Sequence, residues 1–186
     1  VSTVNIKLTR PEIYYGQAAE SYVFVNTKQK EFDYPLGDQN IYTSYPGTGG
    51  VPVGSFLRRA LYAWQFGSLK ILFSDDITGA ARIMYHRNIM ERATTALPFL
   101  TFDSDPYIVV TDNGELKWIL DGYTTNSGYP YAEPVDGVDY MRNSVKVTID
   151  AFTGAITAYV VDPHDPVIRT YESIFKGVFQ PMSAMP

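Results

Sequence analysis

Two kinds of hydrophobic spacing alternate along this chain. Near the start, Tyr22-Val23-Phe24-Val25 is a short run of β-favouring apolar residues, the pattern of a buried strand. Phe56, Leu57, Ala60, Leu61 and Trp64 then recur at helical spacing, with Ser55 placed to cap the first turn and Gly67 to stop it. A second, longer helix is predicted over residues 78–96. Ile83, Met90, Ala93 and Leu97 line one face, Asp75 or Asp76 serves as cap, and Pro98 ends it. From Tyr107 onward the period shortens. Tyr107-Ile108-Val109-Val110 and Glu115 to Leu120 flank Asp112-Asn113-Gly114, and Asn-Gly between apolar runs signals a hairpin. A second hairpin follows, with Val145 to Ile149, a turn at Thr153-Gly154, and Ile156 to Val161. Lys146 and Thr148 alternate with apolar residues, which predicts one buried and one wetter face. Asp165-Pro166 opens a last helix that runs to about Phe175.

Helices and hairpins are thus segregated, which argues for an α+β fold. The expected architecture is an antiparallel sheet built from two hairpins, with helices packed on one face. Residues 1–20 read as an extended arm, interrupted by Pro11. Residues 26–54 hold Pro35, Gly37, Pro46, Gly47, Gly49, Gly50, Pro52 and Gly54, which predicts a long irregular loop. The chain is expected to form a single domain over 1–186. Its parts are the arm (1–20), a strand, loop and helix region (21–97), and a hairpin region with the last helix (98–186).

Composition narrows the chemistry. The net charge is −5, from 15 basic and 20 acidic residues, and Arg58-Arg59 is the one tight basic cluster. A nucleic-acid partner is therefore not expected. With no cysteine, disulfides, thiolate metal sites and a cysteine nucleophile are excluded. No apolar run approaches the length that spans a bilayer. The chain begins at Val1 without a signal peptide, so it is expected to be a fragment of something longer, anchored through segments outside it.

Many short stretches resemble one family. They include Pro11-Glu12-Ile13-Tyr14-Tyr15-Gly16, Val25-Asn26-Thr27, Glu31-Phe32-Asp33-Tyr34-Pro35 and Gly49-Gly50-Val51-Pro52. Ile83 through Arg92, Pro98-Phe99-Leu100, Asp105-Pro106-Tyr107, Trp118-Ile119, Tyr129-Pro130-Tyr131 and Arg142-Asn143-Ser144-Val145-Lys146 continue the series in order. Together they resemble the uncharacterised protein family 0182, large bacterial membrane proteins. The resemblance implies a parent with several transmembrane helices and a long region outside the membrane, of which this chain is a soluble, extracytoplasmic part at the cell membrane of a bacterium. It carries over no catalytic residue.

The candidate chemistry is sparse. Gly49 and Gly54 have the spacing of a phosphate loop ahead of a helix, but the lysine is missing, and a structural turn is the stronger expectation. Gly49 and Gly50, with Arg58 or Arg59 nearby, remain a candidate anion site. The aspartate groups fit turns and helix caps better than a metal site. Neither His86 nor His164 has metalloprotease or nucleophile-elbow context. Tyr129 and Tyr131 form the leading candidate contact surface, able to stack on sugars or grip a partner, with a cover over the sheet end as the rival.

The resulting expectation is a non-enzymatic module without metal or cofactor. It would bind the rest of its parent membrane protein, or an envelope glycan or lipid. The alternative is a hydrolase of cell-envelope glycans that uses two carboxylates. A third, regulatory, reading rests on Asp150-Ala151-Phe152-Thr153-Gly154, which resembles the turn of small exported PepSY-type domains.

Overall fold

Hydrogen-bond demand, more than apolar spacing, decides how the residues before Asn88 are built. The computed structural model of the chain describes residues 7–36 and 39–186; residues 1–6 of the expected arm and Gly37 of the expected loop lie outside them. Its contacts divide the chain into two compact units. The small unit is Glu20–Arg87, and the sheet unit combines the chain up to Ala19 with Asn88–Pro186. The expected single domain thus contains two such units.

In the small unit, β1 (Val23–Val25) matches the predicted strand. The expected irregular loop instead contains the antiparallel pair β2 (Glu31–Leu36) and β3 (Gln39–Thr43), followed by β4 (Val51–Pro52). Helix α1 (Phe56–Gln65) starts at Ser55, whose hydroxyl accepts the Arg58 amide, and ends before Gly67 at φ 62°. A short helix α2 (Leu69–Phe73) follows, which the spacing did not predict.

The predicted helix over 78–96 is overturned. Its first part is the strand β5 (Arg82–Met84), paired antiparallel with β1 on one side and β4 on the other. Ile83 and Met84 are consecutive and both fully buried, so the strand is covered on both faces. A strand here gives β1 and β4 their backbone partners, a demand that helical spacing cannot reveal. His86 at φ 48° then breaks the chain direction. The helix begins only at α3 (Ile89–Ala96), capped by Asn88 rather than by Asp75 or Asp76. The Asn88 Oδ1 accepts the amides of Met90 (2.9 Å) and Glu91 (3.1 Å).

The small unit's core is Val53, Ala63, Ile71, Ile77, Ala81 and Ile83, backed by Tyr22, Phe24 and Phe66. The face of α1 recognised by its spacing does not enter that core. Leu57 is 70% exposed, Leu61 54% and Trp64 84%.

In the sheet unit, β6 (Thr101–Phe102) and β7 (Tyr107–Val110) both pair with β8 (Leu116–Asn126). The ladder continues through β9 (Tyr140–Asp150), β10 (Ile156–Val160) and β11 (Phe179–Pro181). All pairings are antiparallel except β10–β11, which is parallel and was not foreseen. Both predicted hairpins are present, and the α+β class stands. The expected wetter face is corrected: Ser144, Val145, Val147, Thr148 and Ile149 are all buried, so both faces of β9 are covered here. Helix α4 (Pro166–Ile174) carries Asp165 at its cap and a proline in its first turn, as expected.

The arm is tied to this unit. The amides of Tyr14 and Tyr15 both donate to the Ala151 carbonyl at 2.9 Å, and the Trp118 indole donates to the Tyr15 carbonyl at 2.9 Å. The Tyr15 ring is buried against Gly154. A Cβ at Gly154 would lie 2.5 Å from that ring, and φ there is 72°, so only glycine fits. Among the described residues, no helix is long and apolar enough to cross a membrane.

Candidate functional site

The region between β8 and β9 is built as a closed hairpin extension. The Asn126 Oδ1 accepts the Gly128 amide at 2.8 Å, which turns the chain out of β8. Tyr129 to Ala132 make the next turn, with Pro130 second and Tyr131 third at φ 65°. A type II turn requires positive φ at that third position and normally takes glycine. Val135 and Val138 exchange both backbone hydrogen bonds, at 2.9 and 3.0 Å, around Asp136 (φ 52°) and Gly137 (φ 80°). Two consecutive positive φ values are the signature of a type I′ turn.

The tyrosines lie at the base and rim of this extension. Tyr129 stacks on Tyr140, with centroids 4.8 Å apart and planes 20° apart, and its amide donates to the Asp139 Oδ2 at 2.8 Å. The Tyr131 ring is wholly exposed. Neither Tyr131 nor its strained backbone gains from burial, so burial does not explain a bulky residue there. The rival reading, rings that cover the sheet end, fits Tyr129 in part and does not fit Tyr131.

Beneath the stack lies a buried polar anchor that spacing alone did not reveal. The Asp165 carboxylate is fully buried. Its Oδ2 accepts the hydroxyls of Thr124 and Ser144, both at 2.5 Å, and its Oδ1 accepts the Tyr140 hydroxyl (2.6 Å) and the Val167 amide (2.9 Å). Burial alone would raise this carboxyl. The hydroxyls of Ser144, Thr124 and Tyr140, with the Val167 amide, outweigh it and hold the carboxyl below the usual range. Burial and the Asp165 charge push the Tyr140 phenol up to about 12. One carboxylate therefore ties β8, β9, the α4 cap and the tyrosine stack together. The signal was half legible: Asp165 was expected as a cap, but nothing marked its partners.

Gly49, Gly50, Arg58 and Arg59 lie in the small unit, whereas Tyr129 and Tyr131 lie in the sheet unit. The glycine-rich loop is a backbone clamp. The Arg82 guanidinium donates to the carbonyls of Gly49 (2.7 Å), Thr48 (2.7 Å) and Gly50 (2.8 Å). The Gly49 amide donates to the Tyr45 hydroxyl at 2.9 Å. A Cβ on Gly50 would meet the Ile83 carbonyl at 2.6 Å. Arg58 donates to the Pro52 carbonyl at 3.1 Å, and Arg59 to the Val53 carbonyl at 3.3 Å and to the Ile77 carbonyl. The loop turns carbonyls toward guanidinium groups, the reverse of the amide cradle that binds a phosphate. Arg82 is the residue that sequence reasoning missed, because it was placed in a helix.

Three further carboxylates serve structure. Asp162 pairs with Arg142 at 3.1 Å and accepts the His164 amide at 2.9 Å. Asp121 pairs with Lys146 at 2.6 Å across β8 and β9. Burial opposes both charges of that pair, but the contact lowers the Asp121 pKa and raises that of Lys146. The Asp150 Oδ1 closes its turn by accepting the Phe152 and Thr153 amides. Among the described residues, no group of three or more acidic or histidine side chains could hold a metal.

Fold and surface define a class: an α+β chain of two compact units, with an aromatic hairpin on one and an apolar helix face on the other. The chain belongs to the uncharacterised protein family UPF0182, whose model matches residues 1–186. A UPF0182 protein of Geobacter sp. strain M21 is 54% identical over 187 residues, covering 100% of this chain and 21% of the relative. One from Geotalea uraniireducens strain Rf4 is likewise 54% identical over 187 residues, with the same coverage. One from Desulforamulus reducens is 50% identical over 188 residues, covering 100% of this chain and 20% of the relative. The chain thus spans about a fifth of the length of the curated relatives it matches. No solved structure matches it.

Proposed function

We propose that this chain is a non-enzymatic binding module on the extracytoplasmic side of a bacterial membrane protein, and that it holds an envelope glycan or another part of its parent on the tyrosine hairpin. The observation that carries this reading is Tyr131, fully exposed on a strained backbone beside the Tyr129–Tyr140 stack. An aromatic face presented on a hydrogen-bonded hairpin stacks well on a sugar ring or an apolar side chain. The buried Asp165 supports binding over bond-making, since its oxygens are filled by four donors. The membrane setting rests on what the family resemblance implies.

The test is a thermal-shift titration of the chain with soluble N-acetylglucosamine oligomers and with the remainder of the parent, produced separately. A specific ligand raises Tm by mass action, and Tyr131→Ala abolishes the shift while leaving the unliganded Tm unchanged. Turnover of the oligomers, lost on substituting a carboxylate, overturns the non-enzymatic reading. A ligand shift that Tyr131→Ala leaves intact removes the hairpin from it.

A further inference from the structure

We infer that the helix pair α1–α2 docks on an anionic lipid surface. The inference starts from an amphipathic helix whose apolar stripe lies outside the core. Ala63 of α1 is buried in the small unit's core with Phe66 packed against it, while Leu57, Leu61 and Trp64, at positions i, i+4 and i+7, face outward. Phe56 is 73% exposed on the same helix, and α2 adds Leu69 (69%) and Phe73 (72%), also i and i+4. An amphipathic helix ordinarily turns its apolar stripe toward a core, and here that stripe faces outward. Six large apolar side chains on two consecutive helices are each more than half exposed, and grouped exposure of this kind marks interaction surfaces.

Charge selects the occupant. From Ser55 to Ser74 the chain holds Arg58, Arg59 and Lys70 and no acid, although the whole chain has 20 acidic against 15 basic residues. Arg58 and Lys70 are exposed beside the apolar side chains. Arg58 bonds a backbone carbonyl, which leaves its charge uncompensated. Asp75 and Asp76 follow only after α2 has ended. Aromatic and leucine side chains on one side, with cations at the rim, match an interfacial helix that sinks its apolar face to the acyl boundary while its cations meet anionic headgroups. Beside α2, a groove of about 300 Å³ is walled by Tyr22, Phe24, Ile71 and Ile77 and lined as well by Lys70 and Asp76. That groove gives an acyl chain an apolar seat next to a cation. This docking needs nothing from the tyrosine hairpin, so either can fail without the other.

The experiment is co-sedimentation of the chain with phosphatidylglycerol-containing vesicles and with pure phosphatidylcholine vesicles. Trp64 emission is followed in a Trp118→Phe background, where it is the sole indole. The expected result is binding to the anionic vesicles with a blue shift of Trp64, weakened by salt. The Leu61→Glu/Trp64→Glu double variant, folded by circular dichroism, should bind at least tenfold more weakly. Absence of binding to anionic vesicles overturns the inference. Equal binding to neutral vesicles, or binding unchanged in the double variant, does so as well. A dimer in sedimentation velocity that the double variant dissociates also overturns it, because a second copy then covers the face.

Discussion

The sheet unit and the small unit both leave large apolar side chains in solvent, but the small unit gathers six of its own on two consecutive helices. In the sheet unit, Tyr15, Leu120, Ile149, Ile168, Val145 and Val147 are fully buried. The small unit fills its core with residues such as Val53, Ala63, Ala81 and Ile83, and leaves Phe56, Leu57, Leu61, Trp64, Leu69 and Phe73 in solvent. Burying one such large side chain stabilises a fold by about 1.5–3 kcal/mol. A unit selected for stability alone would have its leucines inside and its alanines outside. The difference is one of concentration: the exposed apolar side chains of the sheet unit are scattered over many elements, whereas α1 and α2 of the small unit carry six between them.

The largest expected effect falls on the sheet unit's buried anchor. Asp165→Ala removes the acceptor for three hydroxyls and the α4 cap, and leaves those donors unpaired inside the protein. The expected loss is about 3–5 kcal/mol in urea unfolding followed by far-ultraviolet circular dichroism. Asp165→Asn, which keeps one acceptor oxygen, should lose less. The same group sets a pH dependence. Its folded pKa lies below the ordinary value, so the unfolded state binds the proton more readily. Its contribution is therefore complete above the unfolded carboxylate pKa of about 3.9 and is lost as pH falls through the lower folded value. Wild type should lose stability through that acid window, and Asp165→Asn should lose less of it. Equal slopes would show that the anchor contributes nothing to acid sensitivity.

The small unit's counterpart is smaller and sits nearer the surface. Arg82→Ala leaves the carbonyls of Thr48, Gly49 and Gly50 without their guanidinium. Partial exposure lets water replace some of those bonds, so the expected loss is about 2 kcal/mol. Arg82→Lys should recover less than half, since an ammonium cannot reproduce the fork that spans three carbonyls. Amide exchange at Val51 and Ile83 is the direct readout, because both lie in the β4–β5 ladder that the clamp borders. If exchange there is unchanged, the glycine loop holds itself.

What sequence could reveal follows the same division. The hairpins β7–β8 and β9–β10 were legible because Asn113-Gly114 and Thr153-Gly154 are local turn signals between strand-forming runs. Ser55 and Asp165 were legible as caps for the same local reason. The strand β5 was not, because it depends on β1 and β4, which lie far from it in sequence. Ile83 and Met90 share helical spacing by coincidence, and the positive φ of His86 that separates their elements leaves no mark in an alphabet of residue types. The tyrosine hairpin was legible as a candidate surface. Its anchor was not, since Thr124, Tyr140, Ser144 and Asp165 converge only once the sheet has formed. The outward face of α1 shows the limit most clearly: helical spacing located the apolar stripe, but spacing cannot say whether a stripe faces a core or the outside.

The two tryptophans, one in each unit, give the smallest and sharpest test. Trp118 lies half-buried in β8, and its indole donates to the Tyr15 carbonyl of the arm. Trp118→Phe keeps most of the ring and removes that donor, so the expected cost is about 1 kcal/mol. Trp64 is 84% exposed. Trp64→Ser removes a larger group, yet it should shift stability by no more than about 0.5 kcal/mol in either direction, because the indole has little burial to lose. Residue type would predict the opposite order, since deleting an aromatic ring ordinarily costs more than losing one hydrogen bond. Urea unfolding of both variants, read by far-ultraviolet circular dichroism so that neither indole serves as probe, decides between them. A Trp64→Ser loss of 2 kcal/mol or more would mean that the α1 face is already covered in solution, and the contrast between the two units would then disappear.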